Sequence, residues 1–278
     1  MKQSITLWLI AFFITAISAY YQRITGPTYP VAGSTHFRNG NIGYNLPRSH
    51  GGDSPAVIRI HAGDSTVHGY VEWKRYKTND TWTRNSLLSS EGILSTELPN
   101  QPPAGKLLYR VALFRGDEVA IIPGDEPLVI RFKGEVPLMI LIPHIIAMFA
   151  SMLLAARAGL EFFGRESHLE RLVYWTIGFL IVGGFIFGPI VQQYAFGALW
   201  TGWPFGTDLT DNKTAIALLA WIVVGFALNK SKKPRAWALL ASIITFAVFL
   251  IPHSLLGSEY EYKTQGEQKT KVDTMLIR

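Results

Sequence analysis

The sequence contains no cysteine. That absence removes disulfides, thiolate metal sites and covalently attached c-type haem, whose attachment needs a Cys-x-x-Cys-His motif. Charge is also scarce: 17% of the 278 residues are charged, whereas 49% are hydrophobic. The deficit is uneven. Residues 36–133 have the composition of a water-soluble protein, while charge nearly vanishes from one N-terminal run and from four runs after residue 135. The chain also lacks a Gly-x-Ser-x-Gly elbow, a P-loop, a dinucleotide fingerprint and a His-Glu-x-x-His helix. Nothing therefore marks a catalytic centre, and no activity of its own is expected. Net charge is +6, but no Lys/Arg block is interleaved with aromatics as in single-strand binders, so nucleic acid is not an expected partner.

What is present is a set of five apolar runs, Ile5–Tyr21, Val136–Ala156, Leu172–Tyr194, Thr214–Leu228 and Trp237–Leu256. A helix of roughly 20 apolar residues crosses the hydrocarbon of a bilayer, so each run is read as a span. The first carries Ala16-Ile-Ser-Ala19, a loose small-residue cleavage pattern, and is expected to remain as an uncleaved anchor. Two short loops are basic, one with Arg157, Arg165 and Arg171, the other Asn229-Lys-Ser-Lys-Lys-Pro-Arg235. The positive-inside rule places both in the cytoplasm, together with the N-terminus. The expected fold class is a membrane α-helical protein of five transmembrane helices with an inserted all-β sandwich on the outer side. Its parts are an N-terminal transmembrane anchor (1–22), a linker (23–53), the β-sandwich (54–133), a four-helix transmembrane domain (136–256) and a polar C-terminal tail (257–278). The expected location is a bacterial inner membrane, with the β-domain and C-terminus periplasmic.

Within 54–133, Val57–His61, Val67–Trp73, Leu107–Phe114, Val119–Ile122 and Leu128–Phe132 read as short strands punctuated by turns. Leu98-Pro-Asn-Gln-Pro-Pro-Ala-Gly105 resembles the linker before a late strand of fibronectin type III-like domains, which implies that fold for this part. His61 and His68 flank Gly63-Asp64-Ser65 and are read as the two exposed sides of a hairpin turn, since two histidines alone leave a metal under-ligated. The domain is expected to dock an outer-side protein partner or to sit within a larger membrane complex.

Two histidines interrupt the apolar runs within a repeated string, Leu141-Ile-Pro-His144 and Leu250-Ile-Pro-His253. With the alternating spans above, both lie in the outer half of the bilayer. The connection between the third and fourth runs, from Phe196 to Lys213, emerges on the same side and is rich in aromatics and glycine before turning acidic. Each feature has an ordinary reading. Trp200 and Trp203 suit a membrane-interface belt, Asp211 suits a helix N-terminus, and a membrane histidine commonly bonds a neighbouring helix. Ionisable groups inside spans nevertheless point to function by default. Two imidazoles beneath an aromatic, glycine-rich loop suit a flat apolar cofactor with axial iron ligation.

Residues 176–226 carry Thr176-Ile-Gly-Phe-Leu-Ile-Val-Gly-Gly-Phe185, Ala195-Phe-Gly-Ala-Leu-Trp200, Asp208 and Ala217-Leu-Leu-Ala-Trp221. This order resembles the haem-handling core of cytochrome c biogenesis membrane proteins: a glycine-bearing span, a tryptophan-rich outer loop ending in Asp, then a helix with Ala-Leu-x-x-Trp. The resemblance implies haem iron ligation by His144 and His253, with Trp200, Trp203 and Asp208 at the loop positions. Phe205 stands where that family has a tryptophan, and Thr210-Asp-Asn-Lys replaces its Pro-Lys-Glu. The expected function is haem b binding for haem handling or electron transfer at the outer face, with Trp200, Trp203, Phe205 and Asp208 lining the cofactor. The alternative is a non-enzymatic anchor or accessory subunit whose β-domain docks a partner. A transporter is disfavoured because the runs lack an acid–base chain.

Overall fold

The apolar runs and the alternating strands segregate into two units in the computed structural model, which describes residues 2–38, 40–164, 168–252, 257 and 259–262. One unit is helical, Met1–Pro27 with Glu135–Ser258; the other is sheet-rich, Thr28–Gly134 with Glu259–Arg278.

The helical unit contains α1 (Lys2–Thr25), α2 (Leu138–Leu160), α3 (Leu169–Leu180), a π-helical segment (Ile181–Phe187) leading into α4 (Gly188–Phe196), α5 (Leu209–Lys230) and α6 (Pro234–Leu250). Among the described residues four helical stretches are long and apolar enough to cross a membrane: Gln3–Thr25, Leu138–Phe163, Leu169–Phe196 and Leu209–Lys230. α6 is apolar but shorter, at 17 residues. It stops because Pro252 disfavours the helical conformation of its predecessor, and Ile251 accordingly has φ −65° and ψ 121°. The end of the fifth expected run, 253–256, lies outside the described residues.

Small residues set the helix spacing. Ala155, Ala158, Ala217, Ala238 and Ala241 are buried, and a Cβ added to Gly159 would come within 2.5 Å of Ser242 Cβ. Such residues let helix backbones approach closely. Trp221 is fully buried, and its indole N–H donates to Thr245 Oγ1 at 2.9 Å, the partner a buried indole needs. Large apolar side chains such as Phe13, Ile146, Trp175, Leu219 and Ile243 face outward. Arg157, expected in a loop, is instead buried in the last turn of α2, ion-paired with Glu161 at 2.7 Å and set over the Trp8 ring.

The sheet-rich unit holds β1 (Val31–Phe37), β2 (Gly40–Leu46), β3 (Ser49–Gly51), β4 (Ala56–His61), β5 (His68–Arg75), β6 (Thr83–Ser86), β7 (Leu88–Ser90), β8 (Ile93–Leu98), β9 (Lys106–Arg115), β10 (Glu118–Ile122) and β11 (Leu128–Lys133). One sheet runs β1-β2-β4-β8-β7; the other runs β3-β11-β9-β5-β6, with β10 also on β9. Buried side chains of both sheets, Ile58, Ile60 and Leu94 from the first and Val71, Tyr109 and Ile130 from the second, share one core. The Tyr109 hydroxyl donates to Pro47 O at 2.7 Å, and burial pushes its phenol well above the usual tyrosine value.

Two expectations are corrected. Residues 23–53 are not a linker throughout, because β1, β2 and β3 lie there; Phe37, Ile42 and Leu46 are buried, but the Gly, Ser, Thr and Asn residues between them mask the alternation. The histidines His61 and His68 do not flank a hairpin, because β4 and β5 belong to different sheets. The start of the polar tail packs within this unit. Tyr260 N–H donates to Ala104 O at 3.1 Å, Lys106 N–H donates to the Tyr262 hydroxyl at 3.0 Å, and Glu259 pairs with Lys77 and Lys106 at 2.6 and 2.7 Å.

Acid groups in this unit make its stability pH-dependent. Burial raises Glu72, but its bonds to Arg84 and Arg110, both 2.7 Å, outweigh that and hold it below the ordinary value. The Thr66 backbone N–H, then Arg115, holds Asp64 down to about 2. Both are lowered in the fold, so their contribution is complete above the unfolded values, 4.5 and 3.8, and is lost as pH falls through the folded ones. We expect the thermal midpoint of the sheet-rich unit, followed by circular dichroism of the full chain, to be flat above pH 5 and to fall steadily below it. Glu72→Gln should lower stability at pH 7 by about 1–3 kcal/mol and remove the upper part of that fall.

Candidate functional site

The site begins at an irregularity in the third apolar stretch. Pro189 has no N–H, and its ring crowds the carbonyl four residues earlier, so a regular α-helix cannot run through it. The preceding turns widen into the π-helical segment, in which Gly188 N–H donates to Gly183 O five residues back. Single π-turns inside α-helices occur frequently at functional sites. Glycine is needed here for space: a Cβ on Gly184 would lie 2.3 Å from Thr214 Cγ2, and one on Gly183 would lie 2.9 Å from Met148 Sδ.

His144 sits in the second turn of α2, half-buried, with Nδ1 2.9 Å from Gly183 O. A carbonyl only accepts, so Nδ1 carries the proton and in the neutral ring Nε2 keeps its lone pair. Metal-ligating histidines commonly have this arrangement, with the far ring N–H fixed on a carbonyl. A Cβ on Gly188 would be 3.9 Å from His144 Cε1, so the ring edge lies along a side-chain-free stretch of backbone.

Leaving α4 through Gly197 (φ +79°), a left-handed residue suited to a helix end, the chain enters the aromatic loop. The first turn of α5 holds that loop. Asp208 is the N-cap and accepts from Thr210 N–H at 2.8 Å. Asp211 Oδ2 accepts the backbone N–H groups of Thr201 (2.7 Å) and Gly202 (2.9 Å), and Asn212 Oδ1 accepts that of Trp203 (2.7 Å). Gln192 reaches the same cluster through Thr201 Oγ1 at 2.5 Å. Gly202 fits because any Cβ would meet Asp211 Cβ at 2.6 Å.

The expected lining residues thus separate. Trp200 stacks on Phe185 of the π-helical segment, centroids 5.5 Å apart, and its indole N–H donates to Trp203 O at 3.2 Å. His144 and Trp200 therefore meet the same segment, at Gly183 and Phe185. Trp203 and Phe205 are 78% and 83% exposed. Asp208 caps a helix. His253 lies outside the described residues. Among the described residues no three His, Asp or Glu side chains converge to hold a bare metal ion; a haem iron takes its equatorial ligands from the macrocycle and asks only axial ones of the protein.

Further polar groups meet the unwound end of α6. Lys213 is 2% exposed, and its Nζ donates to Ile251 O at 2.7 Å. Gln22 of α1 donates to Phe249 O at 2.5 Å. Reading by sequence missed the roles of Gln192, Asp211, Asn212 and Lys213, because the first three act on loop groups that come within reach only once the loop folds back, and Lys213 acts on a carbonyl 38 residues along the chain. The signal within reach was Thr210-Asp-Asn-Lys213 itself, four polar residues opening an otherwise apolar helix.

Asp211→Asn removes the charge from two backbone hydrogen bonds of the loop. Charge-assisted bonds contribute about 1.5–3 kcal/mol, so hydrogen exchange at Thr201 and Gly202 should accelerate roughly ten- to hundredfold, while Asp208→Ala, which removes a cap, should accelerate it less. Compared with protein families, curated proteins and solved structures, the chain matches none.

Proposed function

We propose that this chain is a haem-binding protein of a bacterial inner membrane, acting in haem handling or electron transfer at the outer face. The observation that carries the reading is the His144 imidazole, fixed through Nδ1 on Gly183 O inside an apolar helical unit with Nε2 free to ligate. His144 and, from the repeated Ile-Pro-His string, His253 would hold the iron of a haem b. Trp200, held against Phe185, would contribute to the aromatic lining. When bound, the haem supplies one-electron chemistry at its iron. The protein's part is to hold the imidazole tautomer, exclude water and keep the aromatic loop in place through Asp211 and Asn212.

In this reading α6 completes five spans, and the sheet-rich unit is a fibronectin type III-like sandwich on the outer side. Two observations support the topology. The loop Asn229–Arg235 is strongly basic, as cytoplasmic loops are. The tail residues Glu259–Tyr262 pack within the unit that also holds Thr28–Gly134, so an even number of crossings separates Gly134 from Glu259. α2, α3–α4 and α5 are three, and α6 supplies the fourth. The sandwich is supported by the pairing of β4 with β8 in one sheet and of β5, β9 and β11 in the other.

A second reading has its own observation. Trp203 and Phe205 are presented outward on a loop whose backbone is pinned by the buried Asp211 and by Asn212. Rigid exposed aromatics anchor protein interfaces, which fits an accessory subunit whose outer parts dock a partner.

Protein purified from cells supplied with haem should show a Soret band and a b-type α band in reduced-minus-oxidised spectra, and His144→Ala should lose the pigment. A colourless wild type rules out the haem reading. Under the accessory reading the protein is colourless, and Trp203→Ala/Phe205→Ala loses a co-purifying partner that His144→Ala keeps. The absence of native cysteine makes topology testable without background. Ser54→Cys should react with an impermeant maleimide in intact spheroplasts, and Lys230→Cys only after permeabilisation; labelling of both from one side contradicts the layout.

A further inference from the structure

A cleft of about 410 Å³ opens where the basic loop turns into α6, lined by Ser231, Lys232, Lys233, Ala236, Trp237 and Leu240. Its two halves differ in chemistry. The loop side presents the exposed ammonium groups of Lys232 and Lys233; the helix side presents Trp237 and Leu240, 42% and 47% exposed and three residues apart on one helical face. The loop is braced, since Lys233 N–H donates to Ser231 Oγ at 3.1 Å and Ala236 N–H to Lys233 O at 3.1 Å. Arg235 is engaged elsewhere, with Nη1 donating to Gly164 O at 2.8 Å. Among the described residues no carboxylate pairs with Lys232 or Lys233.

Two unpaired cations beside an outward-facing apolar strip, at the mouth of an apolar helix, match a molecule with an anionic head and a hydrocarbon tail. We infer that this cleft binds an anionic phospholipid, its phosphate between Lys232 and Lys233 and its acyl chain along Trp237 and Leu240. Basic pockets beside membrane helices recognise lipid headgroups in this way. A free phosphate would satisfy the lysines but leave Trp237 and Leu240 in water, so the apolar half selects the lipid. The inference is independent of haem.

Native mass spectrometry of the full chain in neutral detergent, titrated with phosphatidylglycerol or phosphatidylcholine, tests it. Wild type should retain phosphatidylglycerol in preference. Lys232→Gln/Lys233→Gln should weaken that binding about 25-fold, about fivefold per lysine, with unchanged circular dichroism. Trp237→Ala should weaken both lipids and leave their ratio unchanged. Equal retention of the two lipids by wild type, or no loss in the double lysine variant, overturns the proposal. Displacement of phosphatidylglycerol by inorganic phosphate at matched concentration also overturns it, by making the site one for a free anion.

Discussion

A proline within or just beyond an apolar helix removes an amide donor and frees carbonyls that no water reaches, and a buried carbonyl without a donor costs about 1–3 kcal/mol. Side chains from other helices reach backbone carbonyls at two such places. Around Pro189 the turns widen, and Gly183 O, which accepts the Gly188 N–H, takes the His144 imidazole of α2 as a second donor. Before Pro252 the helix ends, and Gln22 of α1 and Lys213 of α5 donate to Phe249 O and Ile251 O. Polar side chains that look out of place in apolar helices are thus placed by backbone irregularities. The bond to Gly183 O fixes the ring orientation of His144, and with it the nitrogen left for chemistry.

The aromatic loop obeys a related rule. The glycine-rich segment satisfies some of its amides itself, as Phe205 and Gly206 N–H donate to Gly202 O, and the first turn of α5 supplies Asp211 and Asn212 as acceptors for three more. The buried Asp211 carboxylate in turn accepts two of those N–H groups, from Thr201 and Gly202. Trp200 is then drawn onto Phe185, while Trp203 and Phe205 are turned outward. The loop is therefore both a wall beside the π-helical segment and an exposed aromatic surface, and the two functional readings use opposite sides of it.

Much of the layout was legible because burial patterns are local. Apolar runs of helical length marked α1, α2, α3–α4 and α5, and alternation marked β4, β5, β9, β10 and β11. β1 and β2 escaped because Gly33, Ser34, Gly43 and Asn45 dilute the alternation, leaving Phe37, Ile42 and Leu46 as widely spaced core residues. The π-helical segment escaped because its period departs only locally from that of an α-helix. Of the proposed lining, His144 and Trp200 both meet that segment, whereas the exposure of Trp203 and Phe205 and the capping role of Asp208 depend on partners about ten residues away or less and on loop geometry that composition does not encode. Asp211 was visible as a helix-start residue; its hold on Thr201 and Gly202 was not, because that contact exists only once the loop has folded back.

The central claim is the protonation of one ring. The chain has seven histidines, few enough for nitrogen-15 labelling and assignment of His144 by comparison with a His144→Gln variant. The account predicts a His144 imidazole protonated at Nδ1, hydrogen-bonded, with an unprotonated Nε2 whose resonance alone among the ring nitrogens of that residue is lost on addition of haem. A His144 ring protonated at Nε2, or an Nδ1 without a hydrogen bond, would contradict it.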